Sequence, residues 1–222
     1  MLSFRNVTKN FILDSATTIT PVRDVTLDVA QGEFIIIVGR SGTGKTTLLN
    51  LAAGLVKPSS GKVMIDDSDL AGLSDKRLSS LRSHKIGFIF QFPSLLPSLR
   101  ILDNVSLPAI FKDRRNGANE RAVELLSTLG LASKIGVFPR QLSAGEQKRV
   151  VIARSLINQP QVILADEPTS DLDTRTEQEV MDVLRDINSR GVTFLLVTHS
   201  LELIPFATRA FEMNQSHLNQ IK

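Results

Sequence analysis

The chain has 222 residues, no cysteine, and 26 Lys plus Arg against 23 Asp plus Glu, a net charge of +3. With 42% apolar and 22% charged residues it can bury the core of one large domain, which excludes a disordered chain, and its small charge excess excludes nucleic-acid binding by a broad basic field. Without Cys there is no disulfide framework, thiolate nucleophile or cysteine zinc site. Met1 to Asn6 lacks the basic start and apolar stretch of a signal peptide. No apolar run approaches the roughly 20 residues that cross a bilayer, so no integral membrane segment is expected.

In chain order, Leu2 and Phe4, then Val25, Leu27 and Val29, alternate with polar residues and predict an antiparallel β opening. Residues 14 to 21, rich in Thr, Asp and Ser and closed by Pro21, read as the connecting loop. Phe34 to Val38 is a continuous β-branched run, the pattern of a strand buried on both faces of a parallel sheet, and Ile86 to Phe90, Val162 to Ala165 and Val192 to Val197 repeat it. Residues 92 to about 150, punctuated by Pro93, Pro97, Pro108 and Pro139, predict helices near 119–129 and after Ser143 and read as an inserted helical lobe. Thr174 to Arg190 carries Val180, Val183, Leu184 and Ile187 on one stripe and is stopped by Gly191. Strand-helix-strand order implies right-handed crossovers and an α/β core. The expected organisation is a single domain: a core of residues 1–91 and 151–222 that includes the β opening, and a helical subdomain over residues 92–150.

Gly39-Arg40-Ser41-Gly42-Thr43-Gly44-Lys45-Thr46, with Thr47 next, fits Gly, four residues, Gly-Lys-Thr between a buried strand and an apolar helix. The glycines let backbone N–H groups wrap phosphates at the positive end of the helix. Lys45 supplies charge to the β and γ phosphates, and the Thr46 hydroxyl can ligate Mg²⁺, so ATP and Mg²⁺ are the expected ligands. Val162 to Ala165 runs into Asp166 and Glu167 at the strand end where α/β function gathers. Asp166 is expected to hold Mg²⁺, directly or through water, and Glu167 to orient and polarise the attacking water.

Leu142-Ser143-Ala144-Gly145-Glu146-Gln147, running into a helix, resembles the signature of the ABC-type ATPases. Gln91 after its strand, Ser170-Asp171-Leu172-Asp173 after the carboxylates and His199 after the last buried strand complete the family's motifs in order. The resemblance covers essentially the whole chain and implies a P-loop NTPase core with an N-terminal antiparallel β subdomain and an inserted α-helical subdomain. It also implies a head-to-tail dimer, in which Ser143, Ala144, Gly145 and Glu146 of one subunit cover the γ-phosphate in the other's P-loop. Carried over residue by residue, His199 contacts the γ-phosphate and attacking water, Gln91 reaches the Mg²⁺ and water while reporting to the helical lobe, and Asp173 helps position the water. Phe11 matches the aromatic residue that stacks on adenine, with a core phenylalanine as the competing reading.

Phe92 to Leu99 is apolar for a loop, and in the family the region from about Gln91 to Arg100 forms the groove that receives the transmembrane partner. Ile86 to Gln91, Leu95-Leu96-Pro97 and Asn104-Val105 resemble the branch serving lipoprotein release, macrolide and peptide export, and bacterial cell division. That implies a bacterial protein held peripherally at the cytoplasmic face of the inner membrane, with a second ATP-binding subunit and no nucleic acid. The alternative is a soluble ABC ATPase acting on nucleic acid, translation or iron–sulfur assembly; a P-loop kinase or a noncatalytic module is a further reading. Five positions depart from the usual pattern. Ala144 and Glu146 stand where Gly and usually Gln are found, Arg40 where Pro is frequent, Asp171 where a small residue is frequent, and Ser200 follows His199 where Asp is common. Glu146 raises the concern of a negative charge near the nucleotide.

Overall fold

The computed structural model describes residues 1–14, 17–112 and 117–222. The first two strands, β1 (Leu2–Ile12) and β2 (Thr18–Val29), pair antiparallel with Leu2 opposite Val29 and Phe4 opposite Leu27, which gathers the alternating apolar residues on one buried face. Because β2 begins at Thr18, residues 18–21 are strand rather than loop, and residues 15 and 16 of the expected loop lie outside the described residues. The proline signal was outweighed by position: β2 is the outer strand of its sheet, where Pro21 is tolerated, and Ile19 pairs with Phe11.

All five residues of β3 (Phe34–Val38) are buried, Phe34, Ile36 and Val38 in one core and Ile35 and Ile37 in the other. The chain continues through α1 (Lys45–Ala52), then β4 (Ser60–Ile65) and β5 (Ser68–Asp69), which complete a sheet ordered β2-β1-β4-β5. Helix α2 (Asp75–Lys85) leads into β6 (Ile86–Ile89). The helical lobe follows as α3 (Ile101–Ser106), α4 (Ala118–Thr128) and α5 (Ala144–Leu156). Helix α5 runs past residue 150, so its second half, with Val151 and Ile152 buried, packs into the same core as β3 and α6 (Thr174–Ser189).

The remaining strands are β7 (Val162–Asp166), β8 (Thr193–Thr198), β9 (Arg209–Asn214) and β10 (His217–Gln220), giving a second sheet ordered β10-β9-β3-β8-β7-β6. Only the β9–β10 pair in it is antiparallel. The C-terminal ends of β3, β8, β7 and β6 therefore lie side by side, and the residues that leave them are Gly39, His199, Glu167 and, one residue further on, Gln91. No helix among the described residues is long and apolar enough to cross a membrane.

Candidate functional site

At that edge of the sheet a cavity of about 930 Å³ opens. Its walls include Gly39, Arg40, Ser41, Gly42, Gly44, Lys45, Thr46, Thr47, Gln91, Glu167 and His199. Chain order separates Gln91, Glu167 and His199 from the P-loop, and the sheet order brings them together. Thr43 does not line the cavity; its hydroxyl donates to the Arg40 carbonyl at 2.9 Å and so shapes the loop.

Gly44 holds the loop in a conformation only glycine tolerates, with φ at +105°, and a Cβ there would collide with the Pro21 carbonyl oxygen. Gly42 has φ at +80° but open space around it. Gly44→Ala is therefore expected to cost about 2–4 kcal/mol of folding stability and Gly42→Ala about 1 kcal/mol. Urea unfolding midpoints of the two variants check the order.

Lys45 is buried, and its Nζ donates to the Gly39 and Arg40 carbonyls at 2.7 and 3.0 Å while lying 4.0 Å from Glu167 Oε1. Burial pushes the Lys45 ammonium below its usual pKa, and Glu167 and then Asp166 oppose that shift. The Thr46 hydroxyl donates to Asp166 Oδ1 at 3.2 Å. Burial raises the Asp166 pKa, and the Thr46 bond opposes only part of that shift.

Glu167 follows β7 with φ at +46°, in the left-handed region, and its N–H donates to the Val197 carbonyl at 2.9 Å. Its Oε2 accepts from the Thr198 hydroxyl at 3.0 Å and from the His199 backbone N–H at 3.3 Å, and lies 3.0 Å from His199 Nδ1. The last contact requires the Nδ1–H form of the imidazole and leaves Nε2 for another partner. Three donors from the end of β8 thus fix one carboxylate oxygen, and Oε1 is left toward Lys45.

The signature residues Ser143, Ala144, Gly145 and Glu146, and Asp173 of the following loop, do not line this cavity. Ser143 caps α5: its hydroxyl accepts the Glu146 N–H at 3.3 Å while Glu146 Oε2 accepts the Ser143 N–H at 2.8 Å. Lys134 Nζ lies 3.5 Å from the same carboxylate's other oxygen. The Ser143 N–H chiefly, then Lys134, holds Glu146 below the usual carboxylate range despite some desolvation. The charge that raised concern is thus occupied within its own helix turn. Ala144 is the first residue of α5 and has no positive φ, so its Cβ is accommodated. Gly145 is required by packing, since a Cβ there would approach Thr176 Cγ2 of α6 to 2.5 Å. Asp173 caps α6 by accepting from the Thr176 N–H at 3.0 Å and its hydroxyl at 2.6 Å, which hold its pKa down.

The family model described as ABC transporter matches residues 22–170. The chain belongs to the ABC transporter family. Among its relatives, the lipoprotein-releasing system ATP-binding protein LolD of Bordetella pertussis is 45% identical over 197 residues, covering 88% of this chain and 85% of its own. An uncharacterized ABC transporter ATP-binding protein of Thermotoga maritima is 42% identical over 206 residues, covering 90% and 86%. A solved dimer of the ATP-binding cassette MJ0796, in a post-hydrolysis state with ADP and Pi, superposes at a TM-score of 0.91 with 39% identity, covering 100% of this chain and 98% of that one. The chain is accordingly an ABC ATP-binding cassette with ATP hydrolysis as its activity.

Several parts of the cassette's site are absent from the motif pattern. Thr198 is a structural support of Glu167, and Pro21, Leu201 and Glu212 line the cavity. Glu212 stands opposite Val38 in the β3–β9 register, a pairing no local pattern announces. Phe11 lies outside the cavity lining, on β1 and 38% exposed, with Lys9 Nζ 4.9 Å from its ring centre. In the predicted docking loop, Leu95 packs against the core whereas Phe92 is 67% exposed and Leu96 is 44% exposed. Phe90 and Phe111 line a neighbouring groove of about 330 Å³ that also includes Phe88 and Arg154.

Proposed function

We propose that this cassette works as half of a head-to-tail dimer closed by ATP, held at the cytoplasmic face of a bacterial membrane by an integral partner seated in the groove beside Gln91. The observation that carries the reading is the split site. P-loop, Gln91, Glu167 and His199 line one cavity, while Ser143 at the N-cap of α5 lies outside its lining. A second subunit can supply Ser143 from across an interface. The MJ0796 dimer with ADP and Pi supports that arrangement by likeness.

Within one half, the P-loop N–H groups and Lys45 hold the β and γ phosphates. Phe11 offers its ring to the adenine from the strand next to β2, which passes the P-loop at Pro21. Glu167, locked by Thr198 and His199, receives the proton of the attacking water, and the His199 ring faces the γ-phosphate through Nε2. The hydroxyl of Thr46, the carboxylate of Asp166 and the amide of Gln91 are hard oxygen donors that suit Mg²⁺, and the 3.2 Å bond between Thr46 and Asp166 supports that reading. When bound, Mg²⁺ supplies charge neutralisation at the phosphate oxygens. Asp173, at the head of α6, is assigned to positioning water across the interface.

The partner interface is tested with the full chain, tagged and purified from detergent-solubilised membranes. An integral membrane protein should copurify with the wild type and be lost with Phe92→Asp and Phe111→Asp, two exposed ring deletions. Recovery of nucleic acid instead, with hydrolysis stimulated by it and falling steeply with salt, would establish the soluble alternative.

A further inference from the structure

Lys148 sits in the second turn of α5 and is only 4% exposed. A buried ammonium needs a strong partner, and this one donates to the backbone carbonyl of Gln91 at 2.5 Å. Farther along the same helix, Arg154 donates to the carbonyls of Pro93 and Ser94 at 2.9 and 2.8 Å. The loop that leaves β6 is therefore strapped to α5 at two points, by two cations on one rigid element. Burial pushes the Lys148 ammonium below its usual pKa, and the carboxylates of Asp171 and then Glu167 act against that shift. Asp171, where the family more often has a small residue, thus shares an electrostatic neighbourhood with the helix that begins at Ser143.

We propose that Lys148 is a positioning residue for Gln91: by gripping its carbonyl from the signature helix, it makes Gln91 travel with Ser143. The inference rests on the role given to Gln91 above. Arg154 holds the loop beyond Gln91, so it keeps the segment attached to the lobe without setting the residue that enters the cavity. Lys148 sets that residue, because the carbonyl it grips belongs to Gln91 itself. When α5 moves as the dimer closes, the amide of Gln91 is delivered to its own subunit's cavity while the cap of α5 moves toward the other subunit's. A structural lysine would only satisfy that carbonyl, and its removal would act on stability regardless of what side chain Gln91 carries.

The test is a double-mutant cycle on the purified full chain, reading kcat and KM for Mg-ATP, nucleotide affinity and thermal midpoint. Lys148→Met should lower kcat about tenfold with KM and nucleotide affinity within about twofold, because a misplaced group costs turnover rather than phosphate binding. Lys148→Arg, which can still donate to the carbonyl, should stay within about threefold of the wild type. In a Gln91→Ala background, Lys148→Met should lower kcat no further, because the side chain it positions is gone. A kcat for Lys148→Met within twofold of wild type, an equal loss in the Gln91→Ala background, or no rescue by Arg would each overturn the proposal. If Lys148→Met does not fold, Lys148→Ala, which has no donor for the carbonyl, is read by the same criteria. Unimpaired Gln91→Ala would overturn both the role of Gln91 and this inference. Impaired Gln91→Ala beside normal Lys148→Met would overturn this inference alone.

Discussion

Glu167→Gln is expected to lower ATP turnover roughly a thousandfold and to leave the cassette as an ATP-loaded dimer. The carboxylate is held by three donors from Thr198 and His199 on one oxygen, with the other 4.0 Å from Lys45, so it is fixed in the cavity where the proposed role needs a proton acceptor. A glutamine has nearly the same shape and can keep the Thr198 bond through its carbonyl oxygen, so the fold and the P-loop should survive. It cannot accept the proton. The substitution also removes a negative charge beside the place where a polyanionic nucleotide sits, which favours the bound state. Closure driven by ATP then proceeds without the step that reopens it. Light scattering after size exclusion should show a doubled mass with ATP and the single-chain mass with ADP. Turnover within tenfold of the wild type would remove Glu167 from the role assigned here.

The parts of this site that a linear reading finds are those whose chemistry is local. The P-loop announces itself because the glycines, Lys45 and Thr46 must be consecutive to wrap one phosphate chain, and β3 before them is buried on both faces as its unbroken apolar run predicts. The stripe on α6 is similarly local, with Val180, Leu184 and Ile187 buried and Gly191 at φ +94° closing the helix. What stays hidden depends on register between distant strands. Thr198 is an ordinary strand residue until Asp166 is seen paired with Val197, which sets the Thr198 hydroxyl against Glu167. The strap from Lys148 to Gln91 spans 57 residues and joins a helix to a loop, with no periodicity to reveal it.

Helix α2 escaped for a different reason: it buries only Leu78 and so carries no apolar stripe. Its end signals were legible, with Ser74 as cap, Asp75 in the first turn and Arg82, His84 and Lys85 in the last. Strand β9 was missed because its parallel partner β3 lies more than 170 residues earlier, as in the pairing of Ile35 with Arg209. Glu146 shows what charge counting leaves out: its carboxylate accepts from the Ser143 N–H and lies 3.5 Å from Lys134, partners that the motif pattern does not announce.

The split of the site between P-loop and signature makes a second large prediction, one that distinguishes a composite site from a self-sufficient chain. Lys45→Ala removes the buried cation that stands at the head of α1, and Ser143→Arg places a bulky side chain at the N-cap of α5. Each variant alone should be almost inactive, with a loss of about a thousandfold, because in a symmetric dimer both composite sites carry the lesion. Mixed in equal amounts and allowed to exchange, half of the dimers are hybrids. In a hybrid, one site combines both lesions and the other combines an intact P-loop from the Ser143→Arg chain with an intact signature from the Lys45→Ala chain. Activity should therefore return to roughly a quarter of the wild-type level, provided each site turns over independently. A mixture no more active than its components would mean that hydrolysis needs both sites intact or that the signature never meets the other chain's phosphate. A hybrid cross-linked between Cys substituted for Ser41 and Cys substituted for Gln147, in an otherwise cysteine-free chain, separates those outcomes: formation of the disulfide with ATP shows that the two motifs do meet.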